Sequence, residues 1–220
     1  MRTLVLAAVS ILCVLTGIDG WAVEIGGQGV LRELSITTLH RILPADTHIL
    51  VESSAIEQFL AELDGDPPDW QALYGHGHLD PGHDDRVFLL NRERDAKREG
   101  RPALSWRLAF VWAGELSPYK PELGGFPVAI GPKFIKTKWG MVRFKPEEAP
   151  SNLVALVDTL QRDRLHKELA AGKTVEVDVV MTGQLIPDES LVYDFSHDEE
   201  GLGLIMPFVR VERVDFVIAP

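Results

Sequence analysis

The chain has 220 residues, a formal net charge of −11 and one cysteine, Cys13. That length suits one domain, or one and a half, with a core built from ordinary aliphatic content. The acidic balance disfavours general nucleic-acid binding, because polyphosphate is repelled, and a lone cysteine excludes an internal disulfide.

The first residues read as an export signal. Arg2 precedes an apolar run from Leu4 to Leu15, about a dozen residues and therefore of signal-peptide length. Crossing a hydrocarbon core takes roughly 20. A polar exit follows, and Gly20 and Ala22 place small residues at the −3 and −1 positions of a cleavage site. The pattern predicts removal of residues 1–22, with Val23 as the mature start and a periplasmic or extracellular location. The alternative is a buried first strand or helix of a cytosolic protein. Ser10-Ile11-Leu12 before Cys13 is a poor lipid-anchor signal. The mature chain then lacks cysteine, which removes thiolate metal sites and thiol nucleophiles. No later stretch is long and apolar enough to predict a transmembrane anchor.

Residues 30–51 carry no clear period. Ser54 and Glu57 have the spacing of a capping box, and Ile56, Phe59, Leu60 and Leu63 predict a helix over 54–64. A Gly-Asp-Pro-Pro turn follows, then Asp69 caps a short helix from Trp70 to Tyr74. Residues 75–85 read as a loop, and a third helix runs from Asp84 or Asp85 to Glu99, ended by Gly100. Its charges over 91–101 alternate in sign. That pattern reads as a solvated helix face with local ion pairs rather than a phosphate or lipid patch.

The pattern changes at Pro102. Trp106, Leu108, Phe110 and Trp112 form the aromatic face of a first strand. Residues 126–135 are a second extended segment with edge prolines. Residues 139–145 are a third strand, stopped by Pro146. A helix is predicted from Pro150-Ser151 to Gly172, with Leu153, Leu156, Val157 and Leu160 buried and a bend near Gln161-Arg162. A fourth strand places Val175, Val177, Val179 and Met181 on one face. The last strand, Phe208 to Ile218, loses its alternation at Glu212-Arg213, as a β-bulge would make it do.

This order predicts an α+β protein. Residues 23–102 form a mixed, mainly helical N-terminal part, and 103–220 form a five-stranded OB-like antiparallel β-barrel with one helix between strands 3 and 4. The segments Phe110–Pro118 and Val179–Pro187 repeat one pattern, a strand broken by glycine, then leucine and proline. Glycine there allows a strand to coil. The alternative is another α+β sheet with one covering helix.

Two loops carry candidate chemistry. His76, His78 and His83 lie with Asp80, Asp84 and Asp85 within ten residues, a donor set for Zn²⁺, Ni²⁺ or Cu²⁺. The competing reading is a polar loop whose aspartates cap helices. Tyr193, Asp194, His197 and Asp198 mark a second, acidic loop before the last strand, where an OB-type barrel places a binding loop. Ser196 and His197 are adjacent and do not make a nucleophile–base pair, and no Gly-x-Ser-x-Gly elbow occurs. The glycines at 124–125 and 131 lack the Walker ending, and Ser117-Pro118-Tyr119-Lys120 does not open a helix. With no catalytic motif, the expectation is an exported soluble binding or interaction module without a cofactor. Its partner would be an envelope or extracellular protein, peptide or glycan, and not nucleic acid. The alternative is a metal-dependent hydrolase or metal-binding protein using the histidine loop.

Overall fold

The computed structural model describes residues 27–75, 80–196 and 202–218. The proposed signal lies outside the described residues. Among the described residues, no helix is long and apolar enough to cross a membrane.

The elements in chain order are β1 (Gln28–Glu33), β2 (Thr47–Ile49), α1 (Ser53–Asp64), α2 (Trp70–Tyr74), α3 (His83–Arg98), β3 (Arg107–Leu116), β4 (Phe126–Gly131), β5 (Ile135–Thr137), β6 (Gly140–Val142), β7 (Lys145–Glu147), β8 (Val154–Leu156), α4 (Thr159–Ala170), β9 (Glu176–Leu185), β10 (Leu191–Phe195) and β11 (Gly203–Ile218). The fold is mixed α+β, with one large sheet and few helices. Antiparallel ladders join β4 to β3, β3 to β9 and β9 to β11. β11 also runs parallel to β6 and β7, and β5 is antiparallel to β6. β1 is parallel to both β8 and β11, so the ladders β1-β8-β4-β3-β9-β11 return to β1. This ring is not spaced evenly round an axis.

β11 is the longest strand, and its register against β9 shifts between Val211 and Arg213. The bulge falls where the apolar alternation slips. One half of β11 pairs with β10 and the other with β9 and β1. Gly183 sits just before the bulge, and a Cβ there would strike the carbonyl of Arg210. The strand pair closes to this distance only because no side chain intervenes.

Several local expectations need correction. Residues 153–157 are not helical. Leu153, Val154 and Ala155 are buried, and Val154–Leu156 form β8. α4 starts only after Asp158, whose carboxylate accepts from the Gln161 amide at 2.8 Å. A short continuous apolar run suits a buried strand as well as a helix, and here the cap marks the true start. Leu160, assigned to the buried face, is 83 % exposed, while Leu165 fills the core. Pro146 does not stop a strand. It lies inside β7, opposite Val209, on a strand whose only ladder among the described residues is to β11, where a missing N–H is tolerated. The Ser54–Glu57 capping box does not form. Glu52 precedes the helix without a side-chain cap bond, and Glu57 instead accepts from the Lys138 amide at 2.8 Å. That bond, with the Lys138 ammonium nearby, lowers the Glu57 pKa against the opposing effect of burial.

The core has two parts. The larger lies inside the sheet and under α1, with Ile56, Phe59 and Leu60 packed among Leu108, Phe110, Val179 and Phe216. The smaller lies on the opposite face of β3 and β9. There Leu39 and Leu43, from the 34–51 segment, cover Ala109, Val111, Val180 and Val217. β3 and β9 are thus buried on both sides over half their length.

Candidate functional site

The described part of the histidine loop is occupied by structural contacts. Asp80 accepts from the Gly82 amide at 2.9 Å and pairs with Arg86 at 2.9 Å. Arg86 also donates to the Leu73 carbonyl at 2.7 Å, tying the start of α3 to α2. Asp80 therefore shapes the turn into α3. His83 opens α3, lies 3.3 Å from the Asp84 carboxylate and stacks on Phe195 with ring centroids 4.9 Å apart. Tyr74 meets the same Phe195 edge-on at 5.1 Å. The two sequence-marked loops thus converge at their described ends. His76, His78, His197 and Asp198 lie outside the described residues. Among the described residues, no three His, Cys, Asp or Glu side chains are grouped to hold a metal ion.

Tyr193, marked as a binding-loop residue, faces the core. Its phenol donates to the Asp64 carboxylate at the end of α1. Arg98 on α3 grips the same carboxylate with Nε at 2.5 Å from Oδ1 and Nη2 at 2.9 Å from Oδ2. Its Nη1 reaches Asp95 at 2.7 Å and the Leu191 carbonyl at 2.8 Å. Arg94 donates to the Asp64 carbonyl at 2.9 Å. All three central side chains are excluded from water. Burial and the adjacent Asp64 charge raise the Tyr193 pKa. Burial is the largest single influence and opposes the Arg98 charge, but the bond to Asp64 and the charges of Asp64, Tyr193 and Asp95 together outweigh it and the net direction is upward. The charged run over 91–101 is therefore not wholly a solvated face. Arg98 is its buried exception, and with Asn91 it fastens α3 to β10. The Asn91 amide donates to the Tyr193 carbonyl and accepts from its N–H, both at 2.8 Å, in the place a neighbouring strand would occupy. Asp194 bonds only locally, accepting from the Phe195 amide at 2.8 Å. This network is closed and holds elements together.

An open site lies elsewhere. The 34–51 segment covers only half of the sheet's outer face. Past it, the ends of β3, β4 and β9 line a groove of about 650 Å³. Its lining includes the small residues Ala113, Gly114, Ala129 and Gly131, with Val217 at the covered end. Glu115, Glu176, Asp178 and Lys133 supply the charge. Lys133 already pairs with Asp178 at 3.2 Å. Glu115 and Glu176 are cross-strand partners, both exposed, and neither has an ion pair among the described residues. The bond from the Leu116 amide to the Val175 carbonyl makes the adjacent Glu115–Glu176 position a non-hydrogen-bonded pair. There Cα atoms approach to about 4.5 Å and side chains lie closest. Like charges so placed are destabilising. In sequence Glu176 and Asp178 are only the polar alternates of Val175, Val177 and Val179, and the apposition with Glu115 depends on register.

A smaller cavity of about 230 Å³ lies between Ile36, His40, Ile49 and Val51 beside the covering segment. No family model, no curated protein and no solved structure matches this chain.

Proposed function

We propose that the protein is an exported, non-enzymatic binding module whose ligand occupies the groove over β3, β4 and β9. One observation carries this reading. The outer sheet face is sealed by Leu39 and Leu43 over one half and open over the other, and the open half is concave with a floor of alanine and glycine. Small side chains on the two adjacent strands β3 and β4 leave room for a ligand between the charged groups of the rim. The strand pairings also support an OB-like course for the sheet, although β8 and β1 join the ring as extra members.

Filling the groove tests the reading. Ala113→Trp and Ala129→Trp place an indole on its floor. Peptide and glycan arrays probed with the protein and with these variants should give hits that both variants lose. Hits retained at full strength would place the site elsewhere. Export is tested by N-terminal sequencing of protein recovered from outside the cytoplasm, with Val23 the expected first residue. An intact Met1 would remove that part of the proposal.

A second reading is favoured by the contact of His83 and Tyr74 with Phe195, which joins the described ends of the two candidate loops. On it, His76, His78, His83 and Asp80, with His197 and Asp198, bind a divalent transition metal for storage or hydrolysis. Elemental analysis of protein purified without chelator decides it. Stoichiometric metal that disappears in the His76→Ala/His78→Ala variant would support this reading, and metal-free protein would end it.

A further inference from the structure

We infer that the occupant of the groove is an extended peptide segment bearing lysine or arginine, added as a strand along the outer edge of β4. This rests on the groove being the binding site. The first support is the direction of the β4 backbone. The Ser117 amide donates to the Pro127 carbonyl, and the Val128 amide donates to the Leu153 carbonyl. Backbone groups alternate in direction along a strand. Residues 127, 129 and 131 therefore bond towards β3, and residues 128 and 130 point the other way. The β8 ladder reaches only Phe126 and Pro127. Past Val128 the N–H and C=O of Ile130 thus face outward with no strand beside them among the described residues, and Ile130 is 37 % exposed. Pro132 follows and offers no N–H, so the free edge is short, as edges protected against self-association are.

The second support is charge. Glu115 and Glu176 face each other in the closest kind of cross-strand pair, with no cation paired to either among the described residues, and Lys133 is engaged by Asp178. A strand added to β4 would lie about 5 Å outside it and about 10 Å from β3. A lysine or arginine stem reaches roughly 6 Å. Directed inward it passes over Ala129, the register partner of Glu115, and its head approaches the Glu115 carboxylate, the nearer of the pair. The alanine methyl leaves that path open. Among the described residues no aromatic side chain lines the groove, so they offer no flat platform on which a sugar ring packs, and the groove's charge repels polyanions. Main-chain bonds at a sheet edge with a pocket for alternate side chains are the features of strand-addition recognition.

The test uses the ¹⁵N-labelled protein and three probes. These are an end-blocked octapeptide alternating valine and lysine, the same peptide with glutamate for lysine, and N-acetyl-lysine methylamide. The valine–lysine peptide should shift amides at 113–115, 129–131 and 176–178 and saturate, while the glutamate peptide should not. Two variants should each weaken binding at least tenfold. Ile130→Pro removes the outward N–H without touching the β3 ladder. Glu115→Gln/Glu176→Gln removes the charge and, by relieving repulsion, keeps the fold at least as stable. Equal binding of the lysine and glutamate peptides would overturn the inference. So would a response to N-acetyl-lysine methylamide matching that to the peptide, with Ile130→Pro without effect, but that result would leave the groove standing as a cation-binding site. Silence of the groove amides towards all three probes would also overturn it. The groove itself is then judged separately, by the tryptophan variants on the arrays.

Discussion

Arg98 and Asp64 form a two-pronged ion pair inside the protein, with Nε and Nη2 of one opposite the two carboxylate oxygens of the other and almost no solvent exposure on either. They lie on different helices, and Tyr193 of β10 completes the group. Three elements distant in sequence meet at one carboxylate.

Removing one partner leaves a buried, uncompensated charge. Arg98→Met should destabilise the protein by about 3–5 kcal/mol. The double variant Asp64→Asn/Arg98→Met retains no buried charge and should be more stable than Arg98→Met alone. Urea midpoints of the two variants check this. A double variant weaker than the single one would show that the pair acts by shape and not by charge.

Alkali should loosen the same group. The Tyr193 pKa is raised in the fold, first by burial and then by the Asp64 charge, above the ordinary value of 10.0. A raised folded value means that the native state holds its proton longer than the unfolded one. The contribution is therefore complete below about pH 10 and is lost as the pH rises through the folded value. Stability should fall as the pH rises above about 10 more steeply in the natural protein than in Tyr193→Phe. Parallel urea curves across that window give the comparison, and identical slopes would contradict it.

Gly203 should tolerate no side chain. A Cβ there would overlap the Trp70 indole, which is fixed by its own bond from Nε1 to the Trp139 carbonyl at 2.5 Å. Gly203→Ala should cost about 1–3 kcal/mol. Added to Trp70→Ala, which removes the obstacle, it should cost much less. This non-additivity is the mark of direct contact, and additive losses would deny it.

Asp158→Ala should cost about 1 kcal/mol by removing the cap of α4. Ser151→Ala, at the start expected from sequence, should be neutral. Thermal unfolding of the two variants separates the two boundaries.

Much of the secondary structure was legible because its signals are local. The α1 face, the Asp69 cap and the bulge near Arg213 each depend on neighbours in sequence. The segment 153–157 is ambiguous because a short apolar run satisfies either period, and the deciding residue, Asp158, falls inside the helix that the sequence predicts. β1 and β2 escaped because they draw their pairing from remote strands, and Val30 on β1 is half exposed. Arg98 was hidden among exposed charges of similar spacing, and only the packing of α3 against α1 and β10 sets it apart. The histidine loop was conspicuous by composition. The groove was not, because alanine and glycine draw no notice until β3 and β4 place them side by side.

The pairing of β1 with both β8 and β11 carries a consequence for how the protein is made. The first strand docks in parallel on the last, with Leu31 opposite Phe216. The ring of ladders therefore cannot close until residues at the far end of the chain are available. Contacts of such long separation are late and slow to form. A chain whose C-terminal residues are still held away would stay open at this seam, and would complete its fold only when they are released.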